Sequence, residues 1–448
     1  MSLAVVQPPA ALPVLRSRQV GPSRQLSLFG PDPAEHTPAH TSTFQDNLSL
    51  PVHRWFRYSA GFSARWVRDE LEHARAEGRA NVLDPFAGSG TVLLEAQRAG
   101  LAALGLEPHP FVARVAQAKL RWQSSPELFL NHARAMQRQA MELTTTVKPC
   151  PPLIERCYPP AVRQKLCALK QAWRRRAGDP ALTELLWLAL VAILRPCSPA
   201  GTAQWQYVLP NKSKTALPPE TAFERQTRQM WADMLEFQRE ARDGKASLLQ
   251  DDARTCAAVP SGWADLVITS PPYANNYDYA DATRLEMTFM GEIGGWGDLQ
   301  TVVRRHLVRA CTQHVAALKQ PLEAYLAEPL LAPIHSELEL VCRRLAGIRE
   351  SRGGKKPYHL MLAGYFQDLA QVWHSLRRVV APGGRVCFVI GDSAPYGVHA
   401  PVERWFGELA LASGFRSFRF EKLRDRNTKW KNRKHTVPLL EGRLWVEG

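Results

Sequence analysis

Between residues 81 and 122 the chain alternates between two hydrophobic rhythms. The short apolar run NVLDPF ends in an acid and gives way to the small-residue turn AGSGT and a helical stretch, TVLLEAQRAG. LAALGLEPHP repeats the strand-to-acid pattern, and FVARVAQAKLRW supplies a second helix. Strands alternating with helices predict a parallel, doubly wound sheet. Mostly helical sequence, including AVRQKLCALKQAWRRRAG and ALTELLWLALVAIL, interrupts this pattern over 123–244. The sheet resumes with ASLLQDDA and ADLVITSPPY, and a second helical insertion over 286–356 ends in the basic loop ESRGGKKPY. After the helix YFQDLAQVWHSLRRVV, the segment APGGRVCFVIGDS reads as another strand, and FRSFRFEKL and VPLLEGRLWVE as a terminal antiparallel pair. The expected fold is α/β, a mostly parallel doubly wound sheet with a C-terminal antiparallel hairpin and helical insertions. Its sheet segments are expected at 41–122, 245–285 and 357–448.

Composition adds three constraints. An apolar fraction of 45% suits a packed globular body. Residues 1–40, rich in Pro, Ser, Gln and Ala without a sustained apolar period, read instead as a disordered tail. The eight cysteines are scattered with no CxxC pair, so neither a zinc site nor a disulfide framework is expected. The longest apolar run, about Leu185 to Leu194, is too short to span a bilayer, and the N-terminus lacks a secretory pattern, so a soluble cytoplasmic protein is expected. Lys and Arg exceed Asp and Glu by 57 − 42 = 15. That excess suits either a polyanionic partner or a solvated basic surface.

The turn DPFAGSGT, with Asp84, Pro85, Phe86, Gly88, Gly90 and Thr91, lies where a strand ends and a helix opens, the crevice where open α/β sheets bind ligands. Its glycines let the backbone approach a ligand closely. An acid at the strand tip repels phosphate but accepts hydrogen bonds from a cationic amino group, as on the methionine end of S-adenosylmethionine. Glu107, followed by Pro108, is placed to hold ribose hydroxyls. Asp251 or Asp252 after the next strand is a candidate for the adenine amino group, and either is equally a candidate helix cap.

Ser270-Pro271-Pro272-Tyr273 follows the strand DLVIT and reaches the same sheet edge. A base amino nitrogen is a poor nucleophile because its lone pair is delocalised into the ring. Two acceptors gripping its N–H bonds, Ser270 Oγ and the Pro271 carbonyl, would free that lone pair. The two prolines stiffen the loop, and Tyr273 offers a face on which an extruded base can stack.

In these two motifs the chain resembles the amino-group DNA methyltransferases, which act on cytosine N4 or adenine N6 and carry a DPF-G-G cofactor motif and a four-residue (S/D/N)PP(Y/F) catalytic motif. Ser in the first place, as at Ser270, is mostly found in cytosine-N4 enzymes. The resemblance extends to PVHRWFRYSAGFSARWV, with Phe62 a candidate wall of the cofactor pocket, and to VVAPGGRVCFVIGDS and the final hairpin. It implies a Rossmann-like class I methyltransferase fold, S-adenosylmethionine as cofactor, duplex DNA as partner, and base flipping with direct methyl transfer at the nucleoid. The cofactor motif precedes the catalytic motif here, the reverse of many cytosine-N4 enzymes.

Three basic elements are candidates for DNA contact: Lys212 and Lys214 in WQYVLPNKSK; Arg352, Lys355 and Lys356 at the end of the second insertion; and Arg424, Arg426, Lys429 and Lys431 between the last strands. In the tail, Gln25, Leu26, Leu28 and Phe29 resemble the peptide by which bacterial proteins dock on the DNA-polymerase sliding clamp; the alternative is a hydrophobic staple against the body. Competing functions are adenine-N6 methylation, tRNA guanine-N2 methylation, cytosine-C5 methylation through Cys197, and DNA binding without catalysis.

Overall fold

The structure is a computed structural model that describes residues 44–143, 150–176, 178–203, 206–242, 244–354, 356–426 and 439–448. The clamp-like peptide Gln25–Phe29 and the candidates Lys355, Lys429 and Lys431 lie outside the described residues. Nine strands are described: β1 Asn81–Asp84, β2 Ala102–Leu106, β3 Ala200–Thr202, β4 Val208–Ser213, β5 Lys245–Leu249, β6 Ala264–Thr269, β7 Val380–Gly391, β8 Ser417–Arg426 and β9 Leu439–Glu447.

Seven of them form one sheet in the order β5-β2-β1-β6-β7-β9-β8, with β9 alone antiparallel to the rest. The parallel sheet and the terminal hairpin expected from the sequence are both present. The chain moves outward from β1 through β2 to β5, then returns to place β6 on the other side of β1. That reversal opens a crevice at the carboxyl ends of β1 and β6. β1 and β6 are buried over nearly all their length, as befits central strands covered on both faces. β8 has no buried residue and carries charges along its length, which suits an edge strand that must not pair with another chain.

Helix α1, Ala64–Ala76, precedes β1; α2, Thr91–Ala99, crosses from β1 to β2; α3, Pro110–Lys119, follows β2. The first insertion packs α4, Pro126–Glu142, and the helices Pro160–Arg174 and Pro219–Glu240 around Pro180–Ile193. The last of these contains the long apolar run and is buried from Leu185 to Val191. The insertion was expected to be mostly helical and also carries an antiparallel hairpin, β3–β4. Only Val208 of β4 is buried, so this strand has no alternating pattern to read. The second insertion is a series of short helices and the helix His335–Ser351, laid against the long buried helix Tyr358–Val379. Among the described residues no helix is long and apolar enough to cross a membrane.

One buried lock sets the approach to the crevice. Asp233, on Pro219–Glu240, accepts from Val52 N (3.3 Å), Arg54 Nε (3.0 Å) and Trp55 Nε1 (2.9 Å). His53 pairs with Glu95 of α2 at 2.8 Å, and Lys119 Nζ donates to the His53 carbonyl. The segment leading to Tyr58 is thereby clamped between α2, α3 and the first insertion.

Candidate active site

The tips of β1 and β6 are bonded to each other. Thr269 Oγ1, at the end of β6, donates to Asp84 Oδ1 at 2.6 Å, and Phe86 N donates to the same oxygen at 3.1 Å. Ser270 is the next residue, so the two motifs meet at one point of the sheet edge. Asp84 is 1% exposed, and its Oδ2 is buried without a hydrogen-bond partner among the described residues. Burial raises its carboxyl from the usual range to about 7. An orphaned, buried carboxylate oxygen is costly unless a ligand satisfies it. A cation in the crevice would restore the charged form and supply the missing donor.

Glu107 closes the other side. Its carboxylate accepts from Gly88 N and His109 N, each at 2.9 Å, and burial raises it to about 7, with nearby Asp84 adding to the shift. The turn between the acids depends on glycine: Gly88 has φ +52°, and a Cβ there would lie 3.3 Å from the Tyr58 ring. Gly90, with φ +88°, starts α2, and Thr91 is its first, buried residue. Pro85 is buried, while Phe86, Gly88, Glu107 and Pro108 line a cleft together with Tyr58, Asp252, Ser270, Pro272 and Tyr279. Asp251 accepts from Asp252 N and Ala258 N and so caps the following turn; Asp252 faces the cleft, paired with Arg254 at 2.6 Å. Phe62 packs against Trp66, and from its segment Tyr58 and Ala60 line the cleft instead.

The Ser-Pro-Pro-Tyr loop is held at several points. Ser270 Oγ donates its proton to the Val389 carbonyl of β7 at 3.1 Å, which leaves the oxygen's lone pairs as acceptors. Tyr365 Oη donates to the Pro272 carbonyl at 2.8 Å, and Ser393 Oγ donates to that of Ala274. Among the described residues no backbone amide donates to the Pro271 carbonyl. Arg426 lies over the Tyr273 ring at 5.0 Å. Ser270 and Pro272 thus line the same cleft as Glu107, while Pro271 is buried and Asp84 lies behind the lining, tied to the loop through Thr269.

The remaining candidates are dispersed. Lys212 and Lys214 are exposed on the β3–β4 hairpin. Arg352 stacks over Tyr396 and Lys356 over Tyr358. Arg424 is paired with Glu441 at 2.9 Å. Cys197 is buried in the apolar core of the first insertion, where burial pushes its thiol up to about 12, so it offers no nucleophile to the cleft. Asp278, Cys311 and His314 hold ligand-type atoms within 4.8 Å, but Arg304 already neutralises Asp278 at 2.7 Å. Sequence reasoning missed Tyr58, His109, Tyr279 and the stretch His306–Val308, all of which line the cleft. Thr269 was legible in principle, as a hydroxyl ending an otherwise apolar strand; His306–Val308, delivered by the second insertion, carried no local signal.

No protein-family model matches the chain. It is 24% identical over 434 residues to the type II methyltransferase M.BsoBI of Geobacillus stearothermophilus, covering 86% of this chain and 82% of the relative. It is also 24% identical over 407 residues to the type II methyltransferase M.AvaI of Nostoc sp. and of Anabaena variabilis, covering 83% of this chain and 81% of each. A doubly wound sheet, two acidic strand tips beside a Ser-Pro-Pro-Tyr loop, and similarity over more than four-fifths of both chains agree: the chain is similar to the type II methyltransferases along most of its length.

Proposed function

We propose that the chain transfers a methyl group from S-adenosylmethionine to an exocyclic amino nitrogen in duplex DNA, at a specific site, with cytosine N4 as the target. One observation carries this reading: the orphaned Asp84 Oδ2 and Ser270 Oγ, whose proton goes to the Val389 carbonyl, lie at adjoining strand ends linked by the Thr269–Asp84 hydrogen bond. When bound, S-adenosylmethionine supplies a methyl group made electrophilic by its sulfonium. Asp84 would accept from the cofactor's ammonium, Glu107 from its ribose hydroxyls, and Asp252 from its adenine amino group. Arg254 and the turn capped by Asp251 keep Asp252 in place.

Ser270 Oγ and the Pro271 carbonyl would accept the two N–H bonds of the target amine and draw its nitrogen toward a pyramidal, nucleophilic form. Tyr365 and Ser393 fix the neighbouring carbonyls of Pro272 and Ala274 and so stiffen the loop that carries those acceptors, and the alignment does not have to be recreated at each turnover. The target base must leave the stack to reach this loop, and would rest on the face of Tyr273 that Arg426 does not cover. The names of the relatives support site-specific methylation. Ser rather than Asp or Asn at position 270 favours cytosine over adenine. An RNA substrate and a non-catalytic role lack comparable support.

The test is incubation of the protein with methyl-labelled S-adenosylmethionine and either mixed-sequence duplex DNA or tRNA, then digestion to nucleosides. Label in N4-methylcytosine from DNA is the expected result. N6-methyladenine would move the target base, label in tRNA would move the substrate class, and no transfer alongside cofactor binding would overturn the enzyme reading.

A further inference from the structure

We propose that the β3–β4 hairpin is the phosphate-contacting element of this protein, with Arg57, Arg156, Lys212 and Lys214 gripping the DNA backbone while Gln206 and Tyr207 tie that grip to both walls of the cleft. The inference rests on the duplex-DNA reading above and selects one of the three basic elements.

The four cations are exposed, and Arg57 lies near enough to Lys214 to act on its charge. Burial, then the fields of Arg195 and Arg57, hold the Lys214 ammonium below the ordinary lysine range, while Arg156 Nη2 donates to Asn211 Oδ1 of the hairpin at 3.0 Å. The acids nearby are already engaged: Glu155 faces Arg163, and Glu286 pairs with Arg195. A cluster of cations whose neighbouring acids are spoken for suits a polyanion. The described cations of the other basic elements differ, because Arg424 is neutralised by Glu441 and Arg426 covers Tyr273, while Arg352 and Lys356 sit on tyrosine rings.

The turn end of the hairpin, between β3 and β4, bonds to both halves of the site. Gln206 is 3% exposed and has φ +63°, a left-handed conformation that a non-glycine residue adopts only when its surroundings compel it. Its Oε1 accepts from Ser59 N at 2.8 Å and Ser59 Oγ at 2.9 Å, its Nε2 donates to the Arg57 carbonyl, and Arg195 Nη1 donates to its own carbonyl. Those bonds bracket Tyr58, which lines the cleft beside Gly88. One residue later, Tyr207 Oη accepts from Asp278 N at 2.8 Å, and the Tyr207 ring leans on Tyr277, which in turn meets Tyr279 edge-on. Tyr279 Oη faces the Tyr273 amide at 3.4 Å. Phosphate held by the hairpin is therefore linked to the cofactor wall through Ser59 and to the catalytic loop through Asp278.

Duplex binding by the full-length protein, followed by fluorescence anisotropy over a range of KCl, tests the grip. The double variant Lys212→Ala/Lys214→Ala is expected to bind every duplex more weakly. Its slope of log affinity against log salt should be reduced by about 2, roughly 0.9 for each phosphate no longer neutralised, with S-adenosylmethionine affinity unchanged by calorimetry. Arg352→Ala/Lys356→Ala is expected to keep the wild-type slope. An unchanged slope in the hairpin variant, or a reduced slope in the second pair instead, overturns the inference. Failure of the wild-type protein to bind any duplex overturns the duplex-DNA reading as well. Tyr207→Phe tests the linkage: kcat should fall about tenfold with KM for DNA and the melting temperature within error, whereas a parallel change in KM, or no change, refutes it.

Discussion

At the scale of single residues, the site is governed by what burial does to two carboxyl groups. Asp84 and Glu107 both titrate near 7 because water is excluded from them. In an unfolded chain they would titrate near 4, so the native state binds extra protons between about pH 4 and 7. The cofactor-free protein should therefore lose stability as pH rises through that window, measurable as a falling melting temperature. Cofactor affinity should run the other way, rising toward pH 8 as Asp84 ionises to meet a cation; an affinity flat from pH 6 to 8 would remove Asp84 from the binding role. Ser270→Ala deletes one of the two acceptors and is expected to lower kcat by about 10²-fold, the scale for one preorganised polar contact, with cofactor affinity unaltered. That Asp84 and Ser270 stand at the sheet's edge was legible in the sequence, because an acid and a Ser-Pro-Pro turn each end an apolar strand. Which of Asp251 and Asp252 faces the cleft was not, since adjacent residues differ only in the direction the turn gives them.

At the scale of elements, the strands and the helices that connect them follow from hydrophobic period, and so does the buried helix Pro180–Ile193. The β3–β4 hairpin and the clamped segment before α1 do not, because their stability comes from distant polar partners rather than from a repeating apolar face. Asp233 is 0% exposed and holds four donors from Val52, Arg54 and Trp55. Asp233→Ala would leave those buried donors without an acceptor and should destabilise the fold by about 3 kcal/mol, toward the lower end for a broken buried ion pair because Arg54 reaches solvent. Thermal or denaturant unfolding would read this directly. Cofactor affinity should fall with it, since Tyr58 and Ala60 sit at the end of the clamped segment.

At the scale of the whole molecule, the cleft is assembled from parts far apart in the chain: the segment around Tyr58, the ends of β1, β2, β5 and β6, Tyr279, and His306–Val308 of the second insertion. A ligand that bridges them should stabilise the entire body. S-adenosylmethionine at a hundred times its dissociation constant is expected to add about 2.7 kcal/mol, seen as a shift of the main melting transition; stabilisation confined to a partial transition would show that the insertions fold independently of the cleft. Cys197→Ala should leave transfer unchanged, its thiol being locked in the core of the first insertion. The residue order alone determined the α/β alternation, the two acid-tipped strands and the stiff Ser-Pro-Pro-Tyr turn, because period, glycine and proline act over a few neighbouring residues. The sheet order that sets Asp84 against Thr269, the orphaned oxygen that invites a cation, and the arrival of the second insertion at the cleft were decided only by tertiary structure, because hydrogen bonds between residues more than a hundred positions apart leave no periodic trace in the chain.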